Sequence, residues 1–386
     1  MVLRSEYENT LRDLIRDHRV VGIIGARQVG KTTLARKFME RVQQPVTYFD
    51  LENPEDLARI IDPMIALKQL KGIIVIDEVQ RLPGLFEVIR VLVDRPRMPA
   101  KFIILGSTSP DLLRQGSETL AGRIYYYEIG GFSVAEVGMS NYAKLWLRGG
   151  FPRSYLARTN VASHQWRLGF VRTFLERDLP QLGVRISATT LRRFLTMLAH
   201  NHGRVWNASE YGRSFGVADT TVRNYLDLLT SALIVRQLQP WHENIKKRQV
   251  KAPKVFFADT GLLHSLLNCR SLAELEAHPK LGASWEGFVI EQIIRHVKAA
   301  PEECFFWGTH SGAELDLLIV RGHQRLGFEI KRTSAPAVTK SMNSALVDLK
   351  LHSLDVIHAG EHTFPLADNI RAVSFSRLLE DVKPLA

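Results

Sequence analysis

Apolar residues along the first third of the chain come in short β-branched runs rather than in alternation. The runs are Val20-Val21-Gly22-Ile23-Ile24, Val46-Thr47-Tyr48-Phe49, Ile73-Ile74-Val75-Ile76, Phe102-Ile103-Ile104-Leu105 and Ile124-Tyr125-Tyr126-Tyr127. Strands buried on both faces read this way, and amphipathic segments between them are long enough for helical crossovers. This pattern predicts a parallel-sheet α/β domain. Residues 131–235 hold almost no strand-like run and follow a helical period. After about 250 the pattern returns to mixed strands and helices, with a long helix expected from Ser284 to Lys298. Seams are expected at Gly149-Gly150-Phe151-Pro152 and in the polar, basic stretch from Glu243 to Pro253. A chain of 386 residues is too long for one ordinary core. Three domains are expected, at 1–150, 151–250 and 251–386.

Composition narrows the class. With 45% hydrophobic and 24% charged residues, disordered, collagen-like and coiled-coil chains are excluded. No apolar run approaches the roughly 18 residues that a bilayer span needs. The first residues, Met1-Val2-Leu3-Arg4-Ser5-Glu6, lack the apolar stretch of a signal peptide. Cys269 and Cys304 cannot form a disulfide framework or a four-cysteine zinc site, so a reducing cytoplasm is the expected compartment. The net charge of +11 favours a polyanionic partner, with nucleic acid ahead of a membrane surface. Basic residues concentrate between Lys246 and Lys254, which points to DNA.

The first domain carries a nucleotide motif. Gly25-Ala26-Arg27-Gln28-Val29-Gly30-Lys31-Thr32 fits G-x-x-x-x-G-K-[ST], after a strand and before a helix. Backbone N–H groups of such a loop, from Gly25, Gln28, Val29 and Gly30 through Thr33, cradle phosphates, and Lys31 reaches the β- and γ-phosphates of ATP. Thr32 would supply a hydroxyl to Mg²⁺. The run Ile73-Ile74-Val75-Ile76 ends in Asp77-Glu78. Asp77 would hold Mg²⁺ through water and Glu78 would orient or deprotonate the attacking water, which argues for hydrolysis over mere sensing. Ser107, after the run Phe102 to Leu105, is a candidate sensor that contacts the γ-phosphate or the lytic water. Arg123, in Leu120-Ala121-Gly122-Arg123, is the candidate arginine for that phosphate, in cis or across a subunit boundary.

The loop GARQVGKTT, the strand IIVIDEVQRLPG, the segment ILGSTSPDLL and the block LAGRIYYYEI together resemble a prokaryotic family of AAA-type ATPases. Its members carry a C-terminal domain of uncharacterised function, the DUF4143 group. The resemblance continues through GGFPRSYL, FLERDLP, KVFFADTGLL and GAELDLLIV…GFEIKR, and so covers most of the chain. It implies an ATPase with a catalytic Glu after the Mg²⁺-binding Asp. It also implies a homo-oligomer, such as a hexameric ring, with the nucleotide near a subunit boundary.

In the middle region, Asn207 to Val217 reads as a capped helix closing in a glycine turn, and Ala218 to Leu229 as a second helix. Val222, Leu226 and Leu229 share its apolar face, while Thr220, Thr221, Arg223 and Asn224 crowd its first turns. A DNA recognition helix presents residues of that kind. Leu233 to Leu238 follows as a strand, and Lys246, Lys247 and Arg248 could tip a wing, giving a winged helix-turn-helix. A three-helix unit that contacts protein instead fits the same pattern. His200-Asn201-His202-Gly203 reads as a helix end, since residues two apart do not share a helix face.

The last region holds Asp316 in the apolar run Ala313 to Val320, a turn at Gly322, and a returning strand Leu326 to Lys331. Asp316, Glu329 and Lys331 can converge on one face of that hairpin. Two carboxylates can bind Mg²⁺ and a lysine can position or deprotonate a water. This D…E-x-K pattern is similar to that of the PD-(D/E)xK nucleases, which place a further metal-binding Glu on a preceding helix, where Glu286 stands. A helix at 337–349 and a strand at 354–358 complete an α-β-β-β-α-β order. The expected architecture is therefore α/β: a P-loop AAA-type domain, a helical winged-helix module, then a nuclease-like domain that binds or cuts DNA.

Overall fold

The computed structural model describes residues 2–96, 100–106, 116, 118–181 and 186–384. They gather into two compact units, one reaching Gly131 (with Ser231–Leu233) and one from Phe132 onward. The first change of unit thus falls at Gly131, earlier than the glycine-rich seam expected near residue 150.

Each of the five apolar runs of the first unit forms a strand: β1 (Val20–Ile24), β2 (Val46–Asp50), β3 (Gly72–Asp77), β4 (Ala100–Leu105) and β5 (Ile124–Glu128). All neighbours pair in parallel, in the order β2-β3-β4-β1-β5. The helix α1 (Lys31–Arg41) follows β1, and α2 (Leu85–Val93) lies between β3 and β4. Ile74, Ile76, Phe102 and Ile104 pack with Phe86, Ile89 and Leu92 of α2 into one buried core. Burial on both faces is what leaves β1, β3 and β4 continuously apolar, while the edge strands β2 and β5 are mostly half-buried. Because the sheet is parallel, the carboxyl ends of β1 and β3 lie on one edge, which brings the loop after Ile24 beside Asp77.

The second unit is built on one nine-stranded sheet, in the order β13-β14-β12-β11-β10-β9-β7-β8-β6. The helices α3 (Ala188–His200), α4 (Ala208–Phe215) and α5 (Asp219–Ser231) surround a short strand β6 (Arg204–Val205) and precede β7 (Val235–Pro240) and β8 (Lys254–Phe257). The Asn207 side chain caps α4 by accepting from Glu210 N, and the chain leaves α4 through Gly216 at φ 65°. A side chain at Gly212 would meet Val217 O and Asp219 Oδ1 at 2.9 Å, so this close turn between α4 and α5 needs glycine. After α6 (Leu281–His296) come β9 (Cys304–Gly308), β10 (Glu314–Arg321), β11 (Gln324–Lys331), α7 (Lys340–Asp348), β12 (Ser353–His358), β13 (Phe364–Ala367) and β14 (Ile370–Ser374). Strands β9, β10 and β11 run antiparallel, and β11, β12 and β14 run parallel. The regions expected as separate second and third domains share this sheet, because β7 pairs with β9 at Gln239↔Phe305 and Pro240↔Phe306.

Candidate nucleotide site and carboxylate cluster

The loop from Gly25 to Gly30 leaves β1 and turns directly into α1. Gly30 has φ 99° and Gln28 φ 64°, left-handed conformations that open a concave backbone at a helix N-terminus. Gly25 is required for close approach, since a Cβ there would lie 2.4 Å from Ile129 O. The buried Arg4 guanidinium steadies the loop by donating to Val29 O at 3.2 Å and Gly130 O at 2.8 Å. Lys31 donates to Gly25 O at 2.9 Å and Ala26 O at 3.1 Å, so its ammonium stays inside the loop. Burial lowers its pKa to about 8, partly offset by Glu78 and Asp77.

Asp77, at the end of β3, organises the opposite wall. Its Oδ2 accepts from Thr32 Oγ1 at 2.7 Å and from the Tyr48 hydroxyl at 3.0 Å, and its Oδ1 accepts from Glu78 N at 3.0 Å. A hydroxyl beside a carboxylate is the oxygen donor set of a hard divalent ion, so Thr32 and Asp77 fit Mg²⁺. Glu78 is held at φ 55°, in a left-handed conformation unusual for a side chain of its kind. Gln80 Nε2 donates to its Oε2. Burial, then Asp77, raises the Glu78 carboxyl above the ordinary range, towards that of a general base. Tyr48, Gln80 and Arg4 escaped the sequence reading. Tyr48 and Arg4 come from other elements, whereas Gln80 stands two residues beyond Glu78 in the same strand motif.

Arg123 stands just before β5. Val20 of β1 faces Ile124 of β5, and Ile24 faces Glu128. The arginine is thus at the amino edge of the sheet and the phosphate loop at the carboxyl edge, about 16 Å away along a five-residue strand. Within one chain it does not reach the phosphates, which corrects the cis expectation. Its guanidinium makes a bidentate pair with Asp94, at 2.7 and 2.9 Å. Ser107 lies outside the described residues.

In the second unit Leu317 faces Phe328 across the β10–β11 hairpin, so Asp316 and Glu329 are neighbours. A one-residue register shift against β9, between Leu315 and Leu318, marks a bulge at Asp316. Asp316 Oδ2 accepts from Ile330 N at 2.8 Å, and Lys331 Nζ pairs with Glu329 Oε1 at 2.7 Å. Glu286, on α6, faces the same point. The geometry adds two residues to those expected, Glu314 and Lys254. Lys254 Nζ lies 3.1 Å from Glu286 Oε1 and 3.7 Å from Asp316 Oδ1, and it also pairs with Glu314. Burial, then Asp316, pushes Glu286 up to about 8 and Glu329 up to about 7. Burial works against the Lys254 ammonium, but Glu286, Asp316 and Glu314 together raise its pKa. Among the described residues no group of three or more His, Cys, Asp or Glu is arranged to hold a metal ion. A resident Mg²⁺ does not fit Glu286, Asp316 and Glu329 as they stand, because the Lys254 ammonium already serves Glu286 and Asp316 and the Lys331 ammonium serves Glu329.

Three family models match successive stretches of the chain. One described as an AAA domain covers residues 17–138, a domain of unknown function (DUF8612) covers 139–273, and another (DUF4143) covers 281–378. The uncharacterized protein Rv2008c of Mycobacterium tuberculosis (strain ATCC 25618 / H37Rv) is 52% identical over 379 residues, 98% of this chain and 85% of that protein. The chain belongs to an AAA-type ATPase family with a DUF4143 C-terminal domain. The uncharacterized protein Mb2031c of Mycobacterium bovis (strain ATCC BAA-935 / AF2122/97) matches with the same figures. Among solved structures, the Walker-type ATPase paby2304 of Pyrococcus abyssi is 16% identical, with 69% of this chain and 96% of that one covered and a TM-score of 0.48. The RuvB Holliday junction branch migration motor of Thermotoga maritima is 17% identical, with 61% and 90% covered and a TM-score of 0.30.

The family's AAA domain thus contains the Lys31, Thr32, Asp77 and Glu78 constellation, and its DUF4143 domain the carboxylate cluster. In the segment between them, α5 buries Val222, Tyr225, Leu226 and Leu229 and exposes Thr220, Arg223 and Asn224, with Thr221 half-buried. Lys246, Lys247 and Arg248 are exposed on the loop between β7 and β8. That loop lies along the sheet: Trp241 N donates to Phe306 O at 2.7 Å and Val250 N to Gly308 O at 2.9 Å. Lys247 pairs with Asp348 at 2.5 Å. Lys254, counted with this basic stretch in the sequence, belongs instead to the buried cluster. No helix among the described residues is long and apolar enough to cross a membrane.

Proposed function

We propose that this ATPase is an ATP-driven switch acting on DNA, working as a homo-oligomer. Lys31 and the backbone of Gly25, Gln28, Val29, Gly30 and Thr33 hold the phosphates. Thr32 and Asp77 hold Mg²⁺, which neutralises charge on the β- and γ-phosphates when bound. Glu78 takes the proton of the attacking water, its raised pKa and Gln80 contact suiting it to that task. Arg123 serves the γ-phosphate of a neighbouring subunit, in keeping with its place on the opposite edge of the sheet. Ser107 is the sensor.

The DNA assignment is carried by one observation: the first turns of α5 expose Thr220, Arg223 and Asn224 above a fully apolar buried face. The order α3, β6, α4, α5, β7, β8 supports a winged helix-turn-helix, with α5 as the recognition helix. Lys246, Lys247 and Arg248 supply phosphate contacts beside it. The order α6, β9, β10, β11, α7, β12 supports a nuclease-like fold for the DUF4143 domain, which holds DNA while the ATPase changes state.

The test is ATP turnover with duplex, single-stranded, forked and four-way DNA across a salt series. Turnover that rises with DNA and loses that rise with salt supports the reading. Turnover indifferent to every DNA at low salt favours a regulatory switch that recognises protein.

A further inference from the structure

Lys254 is an unusual residue for its place. It opens β8, opposite Leu238 of β7 and Val205 of β6, and is followed by the buried Val255, Phe256 and Phe257. Its side chain is 6% exposed, and its ammonium lies 5.6 Å from the Phe306 ring centroid. A lysine so buried is costly unless its charge is matched. The match is the group Glu286, Glu314 and Asp316, drawn from α6 and β10. Lys331 Nζ pairs with Glu329 Oε1, and Glu329 Oε2 is buried with no hydrogen-bond partner among the described residues. One ammonium therefore stands where three carboxylates converge, and a fourth carboxylate keeps an unused oxygen beside them.

We infer that Lys254 is the resident cation of this cluster, held in place of a divalent metal, so that the DUF4143 site is a metal-free clasp. The ammonium ties β8 to α6 and β10, a side-chain link between the helical segment and the nuclease-like core that adds to the main-chain pairing of β7 with β9. A divalent ion and the ammonium are mutually exclusive, because both need Glu286 and Asp316. Metal-assisted phosphodiester hydrolysis is not an activity of the wild-type cluster. The inference rests on the nuclease-like reading only for which ligand the cluster would otherwise take. Its test uses neither DNA nor nucleotide, so failure of the DNA assignment leaves it standing.

Mn²⁺ is titrated into nucleotide-free, full-length wild type, Lys254→Met and Lys254→Met/Asp316→Ala, by calorimetry and electron paramagnetic resonance. Thermal midpoints are read with and without Mn²⁺. The wild type should bind Mn²⁺ no better than roughly millimolar and keep its midpoint. Lys254→Met should lose about 10 °C, gain a site at least about tenfold tighter, and recover its midpoint with Mn²⁺. The double variant should lose that site. If Lys254→Met is too unstable to titrate, Lys254→Met/Glu286→Gln, which removes opposite charges together, should melt higher than the single variant. Tight Mn²⁺ binding by the wild type that Asp316→Ala abolishes overturns the inference. So does a folded Lys254→Met that binds no Mn²⁺, or a charge-balanced variant no more stable than Lys254→Met.

Discussion

The Tyr48 hydroxyl donates to Asp77 Oδ2 over 3.0 Å, from the strand beside the one that carries the aspartate. It fixes the plane of the carboxylate and leaves Thr32 the same oxygen. A net hydrogen bond of this kind is worth about 1 kcal/mol. Tyr48→Phe should therefore raise the KM for Mg²⁺·ATP roughly fivefold, with little change in kcat. Steady-state turnover against Mg²⁺ concentration checks this, and an unchanged KM would assign Tyr48 to packing alone.

Lys31 and Glu78 should separate binding from chemistry. Lys31→Ala removes the charge that reaches the β- and γ-phosphates and should abolish nucleotide binding. Glu78→Gln keeps shape and hydrogen bonding but loses the proton acceptor. It should bind ATP normally and turn over about 10²–10⁴-fold more slowly. Fluorescent-nucleotide titration beside phosphate release measures both. Equal loss of binding in the two variants would contradict these roles.

Arg123 offers a test of assembly. Arg123→Ala should cut turnover by about a thousandfold while sparing ATP affinity. Arg123→Ala and Lys31→Ala should each turn over poorly or not at all alone, yet mixing them should restore turnover, since a hybrid boundary joins an intact loop to an intact arginine. Absence of rescue in a mixture shown to co-assemble would remove Arg123 from the reaction.

On DNA, Lys246→Ala/Lys247→Ala/Arg248→Ala should weaken binding to every sequence. It should flatten the salt dependence by about 0.9 for each phosphate no longer neutralised. The pair Lys247–Asp348 does not oppose this, as an exposed ion pair contributes about 1 kcal/mol at most. Arg223→Ala/Asn224→Ala should change preference among sequences more than overall affinity. Fluorescence anisotropy with a set of duplexes distinguishes the two. Binding unaltered in both would move the contact surface elsewhere.

His264 should make the second unit sensitive to acid. Its Nδ1–H donates to Leu147 O at 3.1 Å and its Nε2 accepts from Ser284 Oγ at 2.7 Å, so the neutral ring is satisfied and deeply buried. Burial lowers its pKa to about 3, whereas the unfolded chain takes up this proton near 6.5. Stability from this group is complete above 6.5 and falls by about 1.4 kcal/mol per pH unit below it. His264→Gln lacks that dependence. The stability difference between wild type and variant should shrink by this amount per unit between pH 6 and pH 4, measured by urea unfolding. A constant difference would mean the ring protonates in the folded state.

What could be read from the sequence divides along a physical line. Gly25 to Thr32 and Ile73 to Glu78 declare their chemistry because their neighbours are fixed by the chain itself, a strand end running into a turn. Asp316 and Glu329 were legible for the same reason, being two strands of one hairpin. Lys254 was not: a lysine ahead of an apolar run looks like the end of a basic stretch until α6 and β10 pack over it. Arg123 shows an intermediate case. Its position before β5 was visible, but only the parallel register with β1 separates it from the phosphate loop in its own chain.

The pairing of Gln239 and Pro240 with Phe305 and Phe306 also governs how the protein can be cut. A fragment ending after β7, or beginning at β9, would leave a long strand edge with open N–H and C=O groups beside aromatic side chains. Such an edge recruits other chains. A DUF4143 fragment taken from its family boundary at residue 281 should therefore aggregate unless β7 and β8 travel with it, whatever chemistry it retains.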